Sequence, residues 1–226
     1  LSSFLVQPRQ GHLEAIFHIY GYLKAHSKST MVFDAGYLKW SANDFPHYEW
    51  TDFYKDPIEE IPANAPPPRG LPVQINAFVD ADHAGDKITR RSQTGILIFL
   101  NRAPIQWYSK RQNTVETSTF GSEFVALRLA TEMIESMRYK LRMMGIPIDG
   151  PTNVFCDNDA VCKNASIPES TLRRKHNSIA FHKVREAVAA NIIRVAKEAS
   201  ETNLADLLTK PLTGDKLHKL CSNFLF

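Results

Sequence analysis

Apolar and polar positions alternate most strictly over residues 73–80, with Val73, Ile75, Ala77 and Val79 on one face and Gln74, Asn76, Phe78 and Asp80 on the other. A period of two predicts a strand, and Asp80 closes it. Two more strands are expected over residues 94–100 and 105–110, joined across Asn101-Arg-Ala-Pro as an antiparallel hairpin. The period then lengthens to that of a helix, with Leu127, Ala130, Ile134, Met137, Leu141 and Met144 on one stripe, Ser118 or Thr119 as cap, and Gly145 and Pro147 as the stop. Stepping the stripe back by four residues reaches Glu123, an acid in the first turn of the buried face that is costly to bury without a cation.

A fourth strand over residues 153–156 runs into Asp157, and the helix before it makes parallel pairing beside the first strand the expected arrangement. A helix over residues 175–190, a strand over 192–196, and a last helical segment over 203–225, interrupted at Pro211 and carrying Asp206 in its opening turn, complete the order βββαβαβα. The fold class that follows is α/β, with a mixed five-stranded sheet between helical layers.

The N-terminal part reads differently. Ile16, Ile19, Tyr20 and Leu23 have helical spacing, residues 30–33 are expected as a short strand, and Trp50, Phe53 and Tyr54 stand in an acidic, aromatic stretch. Five prolines within residues 62–72 then mark a linker, because proline lacks an amide donor and disfavours regular structure around itself. The expected division is a small α+β segment over residues 1–70 and a main domain over residues 71–226.

Hydrophobic residues make up 43% of the 226-residue chain and charged residues 23%, a balance that predicts a packed core. Net charge is +3, but residues 1–70 hold 6 Lys and Arg against 8 Asp and Glu, while the remainder holds 21 against 16. The basic excess lies in the C-terminal part, which is compatible with a polyanionic partner there. Cys156, Cys162 and Cys221 have neither zinc-ribbon nor disulfide-framework spacing, which fits a reducing interior. No apolar run reaches the roughly 18 residues of a membrane span, so no membrane partner is expected. The chain begins at Leu1 and reads as a piece of a longer protein.

Four carboxylates therefore fall at the ends of elements: Asp80, Glu123, Asp157 and Asp206. If they converge on one sheet edge they need compensation, and hard oxygen ligands select magnesium or manganese. Taken singly, an aspartate at a strand end is usually a turn or cap residue. Asp82 and Asp159 share the faces of Asp80 and Asp157, but the latter two directly follow apolar strands.

The blocks Phe-Val-Asp80-Ala-Asp-His-Ala-Gly-Asp, Arg91-Ser-Gln-Thr-Gly-Ile, Trp107-Tyr-Ser-Lys-Arg-Gln, Ser118-Thr-Phe-Gly-Ser-Glu123-Phe-Val-Ala, Cys156-Asp157-Asn and Asn203-Leu-Ala-Asp206-Leu-Leu-Thr-Lys resemble, in this order, the ribonuclease H domain of copia-type retrotransposon Pol polyproteins. Residues 1–70 resemble, more loosely, the connection between polymerase and ribonuclease H. The resemblance implies a ribonuclease H-like three-layer fold and an endoribonuclease that cuts the RNA strand of RNA/DNA hybrids. It implies Asp80, Glu123, Asp157 and Asp206 as catalytic ligands of two magnesium ions, replaceable by manganese and about 3.5–4 Å apart, with Asp80 bridging. Ser92, Gln93, Thr94 and Gln112 are then expected near the hybrid, with Lys110 and Arg111 on phosphates and 2′-hydroxyl contacts selecting RNA. The implied partners are the hybrid and the reverse transcriptase domain of the same polyprotein. The implied setting is a cytoplasmic virus-like particle or the nucleus.

Other readings remain. A decayed fragment would grip nucleic acid or its polymerase without cutting, and an integrase-like relative would need a different third acid. The alanine between Asp80 and Asp82 argues against the paired aspartates of a polymerase palm. His176 and His182 lack the i, i+4 spacing of a helical zinc pair. Cellular ribonucleases H carry a histidine in the loop before the last acid, whereas residues 194–204 contain none. Trp50, Phe53 and Tyr54 could stack on bases, but packing is the simpler expectation, and Cys156 is expected in the core.

Overall fold

Strand β1 (Ile75–Asp82) is the centre of the molecule because both of its faces are apolar enough to be covered. On one face Ile75, Ala77 and Val79 join Leu127, Ala130 and Ile134 in the main core. On the other, Phe78 stacks on Phe155 and meets Phe99 edge-on. The computed structural model describes residues 5–55, 57–172 and 178–225.

β2 (Gln93–Leu100) and β3 (Ala103–Arg111) pair antiparallel with β1 and with each other, and β4 (Thr152–Cys156) and β5 (Ile193–Lys197) continue the sheet in parallel on its other side. The strand order is β3-β2-β1-β4-β5. This is the mixed five-stranded sheet expected from the hydrophobic pattern. The parallel crossover between β3 and β4 is the long helix α3 (Thr119–Met143), whose cap Ser118 accepts a hydrogen bond from the Gly121 amide at 3.1 Å. Met144, expected on its buried stripe, is 71% exposed, because the helix ends at Met143 and Gly145 turns the chain at φ +70°.

Helix α4 (Asp159–Ser166), directly after β4, was absent from the sequence reading; it is only eight residues long and is capped by Asn158, whose side chain accepts from the Ala160 and Val161 amides. The next helix, α5, spans Ser178–Ala189, while residues 175–177 of the expected span, His176 included, lie outside the described residues. The final segment is divided into α6 (Asp206–Thr209) and α7 (Gly214–Cys221), with the expected break at Pro211.

The chain separates at Val32 rather than near residue 70: residues up to 32, with Leu225, form one compact unit, and residues 33–224 the other. The first unit contains helix α1 (Gln10–Ala25), which buries no residue, and the expected strand over residues 30–33 is reduced to a single bridge from Met31 to Leu225. Residues 33–72 belong to the larger unit because their side chains are anchored there. Trp50, just before the one-turn helix α2 (Thr51–Tyr54), is buried with the Arg185 guanidinium 4.7 Å from its ring centre. Arg194 lies 4.0 Å from the Trp40 ring and 4.4 Å from that of Phe45. Tyr54 meets His182 through its hydroxyl at 2.6 Å, so two of the three aromatics serve packing, while Phe53 is exposed. Glu59 accepts two hydrogen bonds from Arg138, and the Arg69 amide bonds to the Gly145 carbonyl at 2.8 Å, fastening the proline-rich stretch to the end of α3. Among the described residues no helix is long and apolar enough to cross a membrane.

Candidate active site

The parallel register aligns Val79 with Cys156, so the next residue on each strand, Asp80 and Asp157, falls at the same sheet edge. Because alternate residues of a strand share a face, Asp80 follows Phe78 and Asp157 follows Phe155 onto the face opposite α3. Cys156 takes the other face and is buried in the core. Its sulfur lies 3.0 Å from that of Cys162 on α4.

Asp206 reaches this edge from α6. A short loop holds it there: the buried Asn203 donates to the Val79 carbonyl at 3.0 Å and accepts from the Ala205 amide at 3.1 Å. The same carbonyl belongs to the residue before Asp80, so Asn203 fastens the loop beside that acid. Gly95, the register partner of Asp80 on β2, lets α6 approach; a β-carbon there would lie 2.6 Å from Thr209 Cγ2 and 2.8 Å from the Ala205 carbonyl oxygen.

Asp80, Glu123 and Asp206 are 3%, 7% and 1% exposed, and Asp157 is half-buried. Glu123 enters from the first turn of α3. Burial pushes its carboxyl up to about 7, with the charges of Asp157 and Asp80 adding to burial and a hydrogen bond to Asn158 opposing it. One of its oxygens, Oε2, is buried without a hydrogen-bond partner among the described residues. Burial also raises Asp80, against a hydrogen bond donated by the Thr209 hydroxyl and the charge of Lys210, while Asp206 and Asp157 raise it further. Asp80 and Asp157 thus adjoin on neighbouring parallel strands, and Lys210 bridges Asp80 to Asp206.

Part of the compensation these acids need comes from the chain's own lysines. Lys210 Nζ donates to Asp206 Oδ1 at 2.7 Å and lies 3.2 Å from Asp80 Oδ2, and Lys216 Nζ donates to Asp206 Oδ2 at 2.6 Å. Burial alone would raise Asp206, but these two ammonium groups outweigh it and hold the carboxyl below its ordinary value. Among the described residues no group of three or more His, Cys, Asp or Glu is arranged to hold a metal ion. The chemistry of the side chains nevertheless fits a hard divalent cation: all four candidate residues are carboxylates, and the buried Oε2 of Glu123 has no hydrogen-bond partner among the described residues. Lys210, Lys216, Thr209 and Asn203 were missed in the sequence. Asn203, Thr209 and Lys210 stand in the block around Asp206 that carries the resemblance, and Lys210 has i, i+4 spacing from Asp206; Lys216 had no such signal.

The residues expected near substrate divide into two groups. Ser92, Thr94 and Gln112 are buried and spend polar groups internally: Ser92 Oγ accepts from the Ala84 amide, and Gln112 Nε2 donates to Thr94 Oγ1 at 2.9 Å and to the Ser122 carbonyl at 2.8 Å. The Gln112 bonds tie β2 to the first turn of α3, and the Ser92 bond holds the loop after β1, so these polar groups are spent on internal contacts. Gln93 is half-buried and donates to Ser109. Lys110 is exposed, and Arg111 is exposed but paired with Asp86.

Strand order, the α3 crossover and the acidic edge together define a ribonuclease H-like fold. By sequence, the chain is similar to retrovirus-related Pol polyproteins of transposons. Over 154 residues, 68% of the chain, it is 32% identical to the polyprotein from transposon RE1 of Arabidopsis thaliana. Over all 226 residues it is 27% identical to that from transposon TNT 1-94 of Nicotiana tabacum. These matches span only 10% and 14% of the two polyproteins. No family model matches the chain. Among solved structures, LC11-RNase H1 in complex with RNA/DNA hybrid is similar over 60% of this chain and 94% of its own, at 17% identity and a TM-score of 0.49.

Proposed function

We propose that residues 33–224 form a metal-dependent ribonuclease that hydrolyses the RNA strand of RNA/DNA hybrids during reverse transcription of a retrotransposon. The observations that support this reading are the neighbouring positions of Asp80 and Asp157 on parallel strands, the Lys210 link from Asp80 to Asp206, and a buried carboxylate oxygen of Glu123 that lacks a hydrogen-bond partner among the described residues. Asp80, Glu123, Asp157 and Asp206 would hold two magnesium or manganese ions, which when bound supply Lewis-acid and water-activating chemistry.

The chain's own residues prepare that edge. Thr209 orients Asp80 through its hydroxyl, Asn203 sets the start of α6, and Ser200 donates to Asp157 Oδ2 at 3.0 Å. Lys110, exposed near the end of β3, would meet backbone phosphate. The reverse transcriptase domain of the same polyprotein would deliver the hybrid.

The test is cleavage of a labelled RNA strand in a hybrid with magnesium, using Asp157→Asn as control. Cleavage that depends on magnesium and is lost in the variant supports the reading, whereas cleavage indifferent to the substitution removes this site from it. The lysine-filled Asp80–Asp206 pair favours one alternative, a relic that binds hybrid without cutting. Hybrid binding with no cleavage under either magnesium or manganese would select it.

A further inference from the structure

Two kinds of ion pair occur in this protein, and their difference bears on the acidic edge. Arg138, 4% exposed, grips Glu59 through two guanidinium nitrogens, a rigid and permanent clamp. Lys210 and Lys216 are about one-third exposed, at 35% and 32%, and reach buried aspartates with single ammonium groups on long flexible stems. Lys210 is followed by Pro211, and its extended backbone (φ −122°, ψ 144°) ends α6 there, so its side chain departs from a loop rather than a packed helix. Such a group supplies charge and can withdraw into solvent.

We propose that Lys210 is a displaceable internal counter-ion. In the metal-free protein it neutralises the Asp80–Asp206 pair, and it must leave that pair when a divalent cation binds. The inference rests on the metal-site reading above. Lys216 plays the supporting part: it holds the other oxygen of Asp206 and donates to the Ser200 carbonyl at 3.0 Å, while the Ser200 hydroxyl holds Asp157. A chain of contacts from Asp206 through Lys216 and Ser200 to Asp157 therefore persists when Lys210 swings away. Lys210 is in this sense a positioning residue that sets metal affinity.

Competition between two cations for the same carboxylates predicts the sign of its effect. Removing a positive charge about 3 Å from a ligand oxygen should tighten divalent binding by at least about tenfold. Manganese binding to the full 226-residue chain, followed by electron paramagnetic resonance, is measured for wild type, Lys210→Gln, Lys210→Arg and Asp157→Asn. Lys210→Gln is expected to bind manganese more tightly and to melt at lower temperature without metal. Lys210→Arg, which keeps a charge that cannot be deprotonated, is expected to bind no tighter than wild type. Unchanged or weaker manganese affinity in Lys210→Gln overturns the proposal. If Lys210→Gln does not fold, Lys210→Arg binding tighter than wild type overturns it and weaker binding supports it. Wild-type binding that is lost in Asp157→Asn but unaltered in Lys210→Gln leaves the metal site standing and removes the counter-ion. No manganese binding in either wild type or Lys210→Gln removes both.

Discussion

Gly95 and Thr209 face each other so closely that a single β-carbon on the glycine would lie 2.6 Å from the threonine Cγ2. The helix that carries Asp206 therefore sits directly on β2, opposite the position of Asp80. Gly95→Ala should push α6 away, since the nearby Ala205 carbonyl, 2.8 Å from that β-carbon, is backbone and cannot rotate aside. The expected cost is about 1–3 kcal/mol of stability, with a larger proportional loss of hybrid cleavage. Urea denaturation and initial cleavage rates measure the two, and a fully active Gly95→Ala protein would contradict this account of the packing.

Asn203 is wholly buried and uses both ends of its amide to shape the loop before Asp206. Asn203→Leu keeps the number and branching of side-chain heavy atoms and abandons both bonds, leaving the Val79 carbonyl and the Ala205 amide without those partners. The expected loss is about 1–3 kcal/mol, together with reduced cleavage. Stability measured by chemical denaturation should fall even with magnesium present; no change would mean that the loop is held by other contacts.

The raised carboxyl of Glu123 sets a pH dependence in the metal-free protein. Its folded value of about 7 exceeds the ordinary 4.5, so between those pH values the folded chain keeps a proton that the unfolded chain has lost. Its contribution is fully present below 4.5 and is lost as pH rises through 7. Glu123→Gln should therefore stabilise the chelator-treated protein at pH 8 by up to about 3 kcal/mol relative to pH 5, while abolishing cleavage. Denaturation curves at the two pH values decide it, and an equal effect at both would refute the burial argument.

Glu59 behaves in the opposite sense. Burial would raise its carboxyl, but hydrogen bonds and charge from Arg138 and Arg142 outweigh burial and bring it down to about 2. The stability it contributes is present above its unfolded value and disappears as pH falls from about 4.5 towards 2. Because the carboxylate is partly exposed, the contribution is discounted to about 1–2 kcal/mol. The stability gap between wild type and Glu59→Gln should be full at pH 7 and close on acidification. A gap constant with pH would show that the pair carries no net charge stabilisation.

Strands β1 to β5 and helix α3 were legible because their hydrophobic periods are long and unmixed, as in Ile75, Ala77 and Val79 or Leu127, Ala130 and Ile134. Helix α4 was not, since eight residues opened by an asparagine cap look like a turn after a strand. The proline-rich stretch reads as a free linker when its backbone alone is considered. Its anchoring through Glu59 depends on Arg138, which is 79 residues away.

The order of residues by itself determined the alternation that builds the sheet, the single helical stripe that covers it, and the placing of Glu123, Asp157 and Asp206 at or beside the ends of their elements, because periodicity and termini are local properties of the chain; β1, expected to close at Asp80, runs on to Asp82 through its pairing with β2. Tertiary structure decided what surrounds those acids. Thr209 and Lys210 at Asp80, and Asn203 at the Val79 carbonyl, meet only when α6 comes down on β2 across Gly95. The partner of a charge is set by distance in space, and no local pattern encodes a contact made between residues more than a hundred positions apart.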